Sequence, residues 1–279
     1  MQKYAARISY VGTGFCGWQK QSGSAAGGDP SIASLIEETL QGIVSEKVSV
    51  IGSGRTDSGV HASGQVIHFT LRERVWDPEI LKRAFNSRLP PVVRVIHVAP
   101  VPIEFHAQRS ALKKQYSYYF QQGSCALPLC EPYSWWIHRR LDQGAMQRAL
   151  DHLVGEKDFK VFQSRGAKPG PTVRRILEAQ VEWVPLPVGL PGVWVAALPE
   201  QTFGFVRVRL IGTGFLKQMV RSICGTLLQV GEGRRDPDSF AELLSSQRRQ
   251  DVGPTAPGRA LWLEQVWYEH FEPSRESLT

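Results

Sequence analysis

The chain has 279 residues, a length that accommodates one large domain or two ordinary ones. Hydrophobic residues make up 42% and charged residues 21%, a balance that excludes a disordered chain and a long coiled coil. The formal net charge is +7, from 33 Lys and Arg against 26 Asp and Glu. This moderate excess points towards a polyanionic partner without proving one.

Basic residues recur as doublets that are spread along the chain instead of being concentrated in one tail. They stand at 82–83, 113–114, 139–140, 174–175, 234–235 and 248–249. Such a distribution suits a folded surface that contacts a phosphate backbone at several places, although many surface doublets are simply solvated. Charge alone therefore favours nucleic acid as the partner class.

The cysteines and the N-terminus indicate the class of protein. The four cysteines (Cys16, Cys125, Cys130 and Cys224) form no Cys-x-x-Cys pair, and the seven His residues do not stand at zinc-ligand spacing around them. We therefore expect reduced thiols and no metal site. The N-terminus lacks the apolar stretch of a signal peptide, and no apolar run is long enough to span a bilayer. These features predict a cytoplasmic protein that does not contact a membrane.

Hydrophobic periodicity predicts strands and helices in the first hundred residues. A strand at 3–10 leads into a glycine-punctuated loop at 11–18 and a Ser/Gly/Ala-rich loop at 21–28. A helix then follows Asp29-Pro30-Ser31, with Asp29 or Ser31 as its cap and an apolar face built on residues 32, 35, 36, 40 and 43. Further strands are predicted at 48–51, 65–71 and 92–98, with a helix at 79–86.

The second half repeats this scheme. A strand at 116–121 precedes a helix that Asp142 caps, and strands follow at 174–183, 194–197 and 205–211. The clearest helix spans 214–228, because its apolar residues recur on one face. Another helix near 237–244 precedes a final strand at 260–268, and a polar tail occupies 271–279.

Strands and helices mix in both halves without the strict alternation of a doubly wound parallel sheet. We therefore predict an α+β protein of two similar ferredoxin- or RRM-like lobes, 1–103 and 104–270. The lobes are expected to share a largely antiparallel sheet with helices on one face. A cleft between the lobes is the expected place of a functional site.

The segment Gly52-Ser-Gly-Arg-Thr-Asp-Ser-Gly59 combines glycines, an arginine and a carboxylate between two predicted strands. It begins like a dinucleotide-binding fingerprint, but Asp57 stands in place of the third glycine and a strand follows instead of a helix. It also lacks the Gly-Lys-Ser/Thr of a P-loop. Arg55 and Asp57 are two apart, so an extended loop directs both to the same side, Arg55 towards a phosphate or base and Asp57 into a cleft. The residues alone also allow a hairpin turn in which Asp57 accepts only local backbone hydrogen bonds.

Residues 52–62 closely resemble the glycine-rich catalytic motif of the tRNA pseudouridine synthase A family. Similar segments follow in the family's order along nearly the whole chain, at 12–19, 105–111, 116–118, 153–159, 172–176, 215–221, 230–233 and 255–257. The resemblance implies an isomerase that converts uridine in tRNA to pseudouridine without metal or cofactor. It also implies positions 38 to 40 of the anticodon stem-loop as the target, and a homodimer that binds the tRNA.

The resemblance assigns roles to four residues. Asp57 matches the catalytic carboxylate, which attacks the ribose anomeric carbon or removes a ribose proton. Arg221 matches the cationic partner of that carboxylate, Tyr116 the ring that packs on the bound uracil, and Arg55 a group that holds the target nucleotide out of its stack. Two alternatives remain open: a pseudouridine synthase of other RNA or other tRNA positions, and a non-catalytic RNA-binding module on the same scaffold.

Overall fold

A computed structural model of the chain describes residues 1–19, 29–167, 169–185 and 203–272. These residues form ten strands and five α-helices, and the strands pair mostly antiparallel, so the predicted α+β class is confirmed. The strands are β1 (Gln2–Tyr10), β2 (Ile51–Gly52), β3 (His61–Leu71), β4 (Val93–Val101), β5 (Lys113–Gln122), β6 (Trp135–Ile137), β7 (Gly155–Asp158), β8 (Val173–Pro185), β9 (Gly204–Gly212) and β10 (Leu261–Trp267). The helices are α1 (Ile32–Val44), α2 (Pro78–Arg88), α3 (Gln143–Asp151), α4 (Met219–Gly231) and α5 (Ser239–Ser246).

The chain divides into two compact units. One contains Met1–Lys114 and Trp262–Thr279, and the other contains Gln115–Leu261. The linear lobes 1–103 and 104–270 stay a prediction. The predicted strand at 194–197, the Ser/Gly/Ala-rich loop at 21–28 and residues 273–279 of the predicted tail lie outside the described residues.

The first unit has a βαββαβ order of elements, from β1 to β4. Its strands lie in the order β4-β1-β3, with β2 pairing antiparallel to β3, which is the arrangement of a ferredoxin-like lobe. β10 joins this unit and pairs parallel with the start of β3, where Trp262 lies opposite His61. The close approach depends on Gly64, because a Cβ there would lie 2.1 Å from the Glu264 carbonyl oxygen.

The second unit repeats part of this pattern. Its strands lie in the order β5-β9-β8-β7, with β6 parallel to β5. β5, β9 and β8 thus correspond to β1, β3 and β2, and helices follow β5 and β9 as they follow β1 and β3. α3 packs against β8, α4 and α5, and the buried core between them includes Phe162, Leu227 and Phe240. The similarity of the two predicted lobes is therefore visible in their topology.

Three of the five described α-helices begin where a short polar side chain caps them. The Ser31 hydroxyl, not the Asp29 carboxylate, accepts the Ser34 amide at 3.1 Å and caps α1. Asp77 caps α2 ahead of Pro78, and Asp142 caps α3 as predicted. These local contacts explain why helix starts are well determined by sequence in three of the five helices.

Two predicted elements were wrong in extent. The helix predicted at 214–228 begins only at Met219, because Gln218 adopts a left-handed conformation with φ of 59° that interrupts the helical backbone. The strand predicted at 48–51 is reduced to Ile51–Gly52. Its earlier residues bind α1 instead, since the Val50 amide donates to the Glu37 carboxylate at 2.7 Å.

Candidate active site

The segment that carries Asp57 is a loop fixed at both of its ends within the first unit. At its start, the Ser53 amide donates to the Val66 carbonyl oxygen of β3 at 2.7 Å. At its end, the Val60 amide donates to the Asp57 carbonyl oxygen at 3.2 Å and closes a turn. The backbone around Asp57 is thus held by the sheet rather than left as a free hairpin tip.

A buried polar network supports the loop from below. The Tyr10 hydroxyl and Thr56 Oγ1 are hydrogen-bonded at 2.8 Å, the Ser53 hydroxyl donates to Gln65 Oε1 at 2.5 Å, and Gln65 Nε2 donates to the Gly54 carbonyl oxygen at 2.9 Å. All four of these side chains are buried. Burial raises the pKa of Tyr10 to about 12, and its hydrogen bonds to Thr56 and Gln65 offset part of that rise. A satisfied network of this kind rigidifies the backbone that it holds.

The glycine-punctuated loop after β1 packs directly on the Asp57 loop. The Trp18 amide donates to the Thr56 carbonyl oxygen at 3.0 Å. Gly17 has a φ of 106°, and a Cβ there would lie 2.6 Å from the same oxygen. The Gly12 amide donates to Nδ1 of the buried His61 at 3.0 Å. Two segments that are separate in sequence therefore form one packed support.

The exposure of the loop side chains alternates. Arg55 is exposed, Thr56 is buried at 6% exposure, and Asp57 is half-buried. The buried Thr56 side chain joins the network, whereas its neighbours Arg55 and Asp57 keep part of their surface accessible. The loop thus offers a cation and a carboxylate with accessible surface, and that both face the same side stays a prediction.

Lys114 is a further cation at this loop, and no motif indicated its role. Its Nζ donates to the Ser53 carbonyl oxygen at 2.5 Å and would lie 3.2 Å from a Cβ at Gly54. Its neighbour Lys113 instead places its Nζ 4.8 Å from the centre of the Trp267 ring. The basic doublet at 113–114 therefore contacts the Asp57 loop through Lys114 and the Trp267 ring through Lys113.

Tyr116 lies on β5 in the second unit and retains 7% of its surface exposed. Its ring meets Phe215 edge to face, with ring centres 5.0 Å apart. Tyr118, two residues along the strand, is fully buried and donates from its hydroxyl to the Pro257 carbonyl oxygen at 3.1 Å. Of the two tyrosines, Tyr116 is the one with surface available to a ligand.

Arg221 lies in the first turn of α4 and makes two hydrogen bonds with Ala256, in the loop that follows residue 252 of the same unit. Its Nε donates to the Ala256 carbonyl oxygen at 2.8 Å, and the Ala256 amide donates to the Arg221 carbonyl oxygen at 3.1 Å. This reciprocal pair of hydrogen bonds fixes both the backbone and the guanidinium group of Arg221. The segment 255–257, which sequence analysis matched only as a motif, thus positions the arginine.

The loop before Ala256 approaches α4 unusually closely. A Cβ at Gly225 would lie 1.7 Å from the Pro254 carbonyl oxygen, so only glycine allows this contact. The Gly253 amide also donates to Thr226 Oγ1 at 3.1 Å. The position of Ala256, and through it that of Arg221, depends on a glycine one turn further along the helix.

Arg221 also influences the tyrosine pair of its own unit. Burial raises the pKa of Tyr118, and the nearby Cys224 adds to this, whereas the positive charges of Arg221 and Arg259 act in the opposite direction. Tyr118 therefore stays protonated and acts as a neutral donor to the backbone. Within the second unit, the charge of Arg221 on α4 thus acts on Tyr118, which lies two residues from Tyr116 on β5.

The structure places the four predicted site residues in two pairs. Arg55 and Asp57 share a loop of the first unit, while Tyr116 and Arg221 belong to the second. That the two pairs serve one active site stays a prediction. Among the described residues, no group of three or more His, Cys, Asp or Glu side chains is arranged to hold a metal ion.

A family model described as tRNA pseudouridine synthase matches residues 6–108 and 149–269, most of the chain. The chain belongs to the tRNA pseudouridine synthase family. The tRNA pseudouridine synthase A of Bdellovibrio bacteriovorus is 37% identical over 266 residues, covering 94% of this chain and 93% of that protein. That of Myxococcus xanthus is also 37% identical, covering 99% and 95%, and that of Neisseria gonorrhoeae is 36% identical, covering 96% and 92%.

Solved structures add nothing to this assignment. A Nop10–Cbf5 complex of an archaeal box H/ACA particle aligns over 90% of this chain and 60% of that chain. The TM-score is only 0.32, at 10% identity. The sequence relatives therefore carry the assignment.

As a member of the tRNA pseudouridine synthase family, the protein is an isomerase that converts uridine to pseudouridine. The first range matched by the family model contains Arg55 and Asp57, and the second contains Arg221. Tyr116 falls between the two ranges, so its assignment depends on its neighbouring motif and its packing. None of the described helices has the length and apolar character needed to cross a membrane.

Proposed function

We propose that this protein isomerises uridine at positions 38 to 40 in the anticodon stem-loop of tRNA, with Asp57 as the catalytic carboxylate. The observation that carries the proposal is the support of the Asp57 loop. Two glycine-rich segments and a buried network of polar side chains hold the backbone of the loop that carries the half-buried Asp57. Rigid placement of one carboxylate is what a reaction at a single ribose carbon requires.

The proposed reaction exchanges one bond of the nucleotide for another. The N1–C1′ bond breaks, the uracil rotates, the C5–C1′ bond forms, C5 loses a proton and N1 gains one. The nucleotide is neither oxidised nor reduced and gains no group, so the chemistry requires no redox cofactor. Asp57 either attacks C1′ to form a covalent intermediate or removes a ribose proton.

Arg221 is proposed to supply positive charge to Asp57. A carboxylate in a site closed to water needs such a partner to remain ionised. The two bonds between Arg221 and Ala256 support this role, because they orient the guanidinium before the substrate binds.

Tyr116 and Arg55 are proposed to bind the target nucleotide. A base inside a helix or stacked loop must leave its stack before its glycosidic bond is accessible. The exposed Arg55 suits a phosphate or base contact of the displaced nucleotide, and the ring of Tyr116, braced by Phe215, suits packing on uracil.

We further propose that the protein acts as a cytoplasmic homodimer on tRNA. The family resemblance supports the dimer and the tRNA, and the four free cysteines suit a reducing compartment. Light scattering coupled to size-exclusion chromatography tests the dimer. A monomeric mass at micromolar concentration would contradict that part of the proposal.

The deciding experiment combines an anticodon stem-loop transcript with Asp57→Asn. This change keeps the size of the side chain but removes its charge and nucleophile. We expect pseudouridine at positions 38 to 40 with the unchanged protein, no detectable turnover with the variant, and RNA affinity within several-fold. Asp151→Asn is the matched control, because it makes the same chemical change at an exposed carboxylate outside the proposed site. Asp151 lies at the end of α3 and accepts a hydrogen bond from Gln147.

The outcomes separate the remaining alternatives. Pseudouridine at other positions, or only in another RNA, would contradict the proposed substrate but not the enzyme class. Tight RNA binding without turnover by the unchanged protein would favour a non-catalytic RNA-binding module. Near-normal turnover by Asp57→Asn would refute the role of that carboxylate. Mapping pseudouridine in tRNA from a strain without the gene gives the same comparison in cells.

A further inference from the structure

A cavity of about 420 Å³ opens in the second unit where the chain enters α4. Its walls come from three segments that are distant in sequence: Ser164 and Arg165, Gln218, and a third segment that contributes Arg249, Gln250 and residues 252–255. Arg249 belongs to a short 3-10 turn, Arg249–Asp251. No carboxylate is among the described residues that line this cavity.

Two polar atoms at the cavity are buried without a hydrogen-bond partner in the described part of the chain. They are Arg249 Nε and Ser164 Oγ. The Arg249 side chain is held in place by another bond, from Nη2 to Ser222 Oγ at 3.2 Å, and the backbone of Ser164 is held by a bond from its amide to the Lys217 carbonyl oxygen. A buried donor without a hydrogen-bond partner costs stability, and a ligand that accepts hydrogen bonds would supply the missing partner.

The charges around the cavity point to the same class of ligand. Burial lowers the pKa of Arg249, and the positive charge of Arg165 lowers it further. Two guanidinium groups that repel one another in this way are stabilised together by a bound anion. The shape of guanidinium donors suits the oxygens of a phosphate in particular.

The start of α4 adds a third contribution. Its cap residue Gln218 is in the left-handed conformation and makes no capping bond from its side chain. The first turn of this 13-residue helix therefore presents amide groups and the positive end of the helix dipole near the cavity wall. A phosphate beside two arginines would use this field as well.

We propose that this cavity binds a phosphate group, and, resting on the proposed function, that the phosphate belongs to the RNA backbone close to the target uridine. The position supports the second part of the proposal. Thr255 lines the cavity, and the next residue, Ala256, holds Arg221 by two hydrogen bonds. A phosphate held here would fix the RNA strand beside the arginine that serves the chemistry.

The first test measures RNA binding as a function of salt with the Asp57→Asn protein, so that the RNA stays unreacted. Arg165 is exposed, and Arg165→Ala is therefore expected to fold normally. For Arg165→Ala we expect the RNA affinity to fall about tenfold near 0.1 M salt. The slope of log Kd against log salt should decrease by about 0.9, the value for one lost phosphate contact. Arg249→Lys, which keeps the charge but loses the Nε donor, should weaken binding with a smaller change in slope.

Arg248→Ala is the matched control. Arg248 is the exposed neighbour of Arg249 in the chain, but its charge is already paired with Asp251 at 3.0 Å. Its removal should leave both affinity and slope nearly unchanged. An equal loss for Arg165→Ala and Arg248→Ala would show only a general effect of charge and would overturn the site.

A second test uses inorganic phosphate as the probe and does not depend on RNA. The protein is prepared with labelled arginine, and the Nε–H resonance of Arg249 is assigned as the one that disappears in Arg249→Lys. This resonance should shift with added phosphate but not with added chloride. Arg165→Ala should weaken that response. If the resonance does not shift with phosphate, the proposed phosphate site is overturned. If it shifts but the salt dependence of RNA binding is unchanged in Arg165→Ala, the claim that the phosphate belongs to the RNA backbone is overturned.

The two tests also distinguish this site from the proposed function. If pseudouridine forms in the stem-loop while neither slope nor resonance responds, the phosphate site is refuted and the function stands. If the resonance responds but no stem-loop is modified, the site stands and the proposed substrate is refuted.

Discussion

Gly225→Ala tests how the fold positions Arg221. The added methyl group would lie 1.7 Å from the Pro254 carbonyl oxygen, and contacts below 3.0 Å are essentially never made by real Cβ atoms. Something must therefore move by more than about 1 Å. The helix is packed on its other sides by buried residues, whereas the loop before Ala256 is a connecting segment, so we expect the loop to yield.

The effect on stability should be modest. Overpacking costs about 1–3 kcal/mol, and alanine regains roughly 1 kcal/mol of helix propensity over glycine. The net loss of up to about 2 kcal/mol corresponds to a melting temperature lower by several degrees in a chain of this size. The protein should thus remain folded at assay temperature.

The effect on turnover should be much larger. A displacement of Ala256 carries the Nε partner of Arg221 with it, and a misplacement of about 1 Å in an active site costs roughly 100-fold in rate. We expect kcat on the stem-loop transcript to fall by about that factor, with KM and RNA affinity little changed. Melting temperature, measured in the same preparation, separates this effect from unfolding.

Gly231→Ala in the same helix is the matched control. A Cβ there would lie 2.7 Å from the Met146 sulfur, which belongs to a flexible side chain that is able to move aside. We expect kcat near that of the unchanged protein. A Gly225→Ala protein with kcat within twofold of the unchanged protein would refute the link between the loop and Arg221.

Three further changes test other parts of the structure. Tyr10→Phe removes the buried bond to Thr56, so we expect a loss of about 1–2 kcal/mol in urea unfolding, and no loss would show that the network does not hold the loop. His68→Asn should flatten the pH dependence of stability. Burial, with the charge of a neighbouring His, lowers the pKa of His68 from 6.5 to about 4, so the unfolded chain takes up a proton first and stability falls by up to about 3 kcal/mol as pH drops through this window. Asn keeps an acceptor for the Ala107 amide, and an unchanged pH profile in urea unfolding would contradict this assignment. Arg221→Met should abolish turnover, whereas Arg221→Lys should retain a measurable fraction if its role is mainly electrostatic, and equal rates for the two variants would argue against that role.

Much of the candidate site was accessible from sequence because its residues lie in short motifs. Asp57 and Arg55 share one glycine-rich loop, and Arg221 follows an apolar helical pattern that periodicity detects. The supporting residues were not accessible in this way. Tyr10 and Thr56 are 46 positions apart, and nothing in either local pattern shows that their hydroxyl groups meet. A glycine inside a helix, such as Gly225, does hint at a close contact, but it does not say with which segment.

The α+β class, most strands and helices, the Asp142 cap and the family could be predicted from the sequence alone. These features depend on periodicity, on local hydrogen bonds and on motifs, which are all properties of neighbouring residues. The return of the chain to the first unit at Trp262 and the hydrogen bonds between Ala256 and Arg221 became visible only in the folded structure. Each of these results from contacts between distant segments, where close packing and buried hydrogen bonds outweigh the preferences of the local sequence.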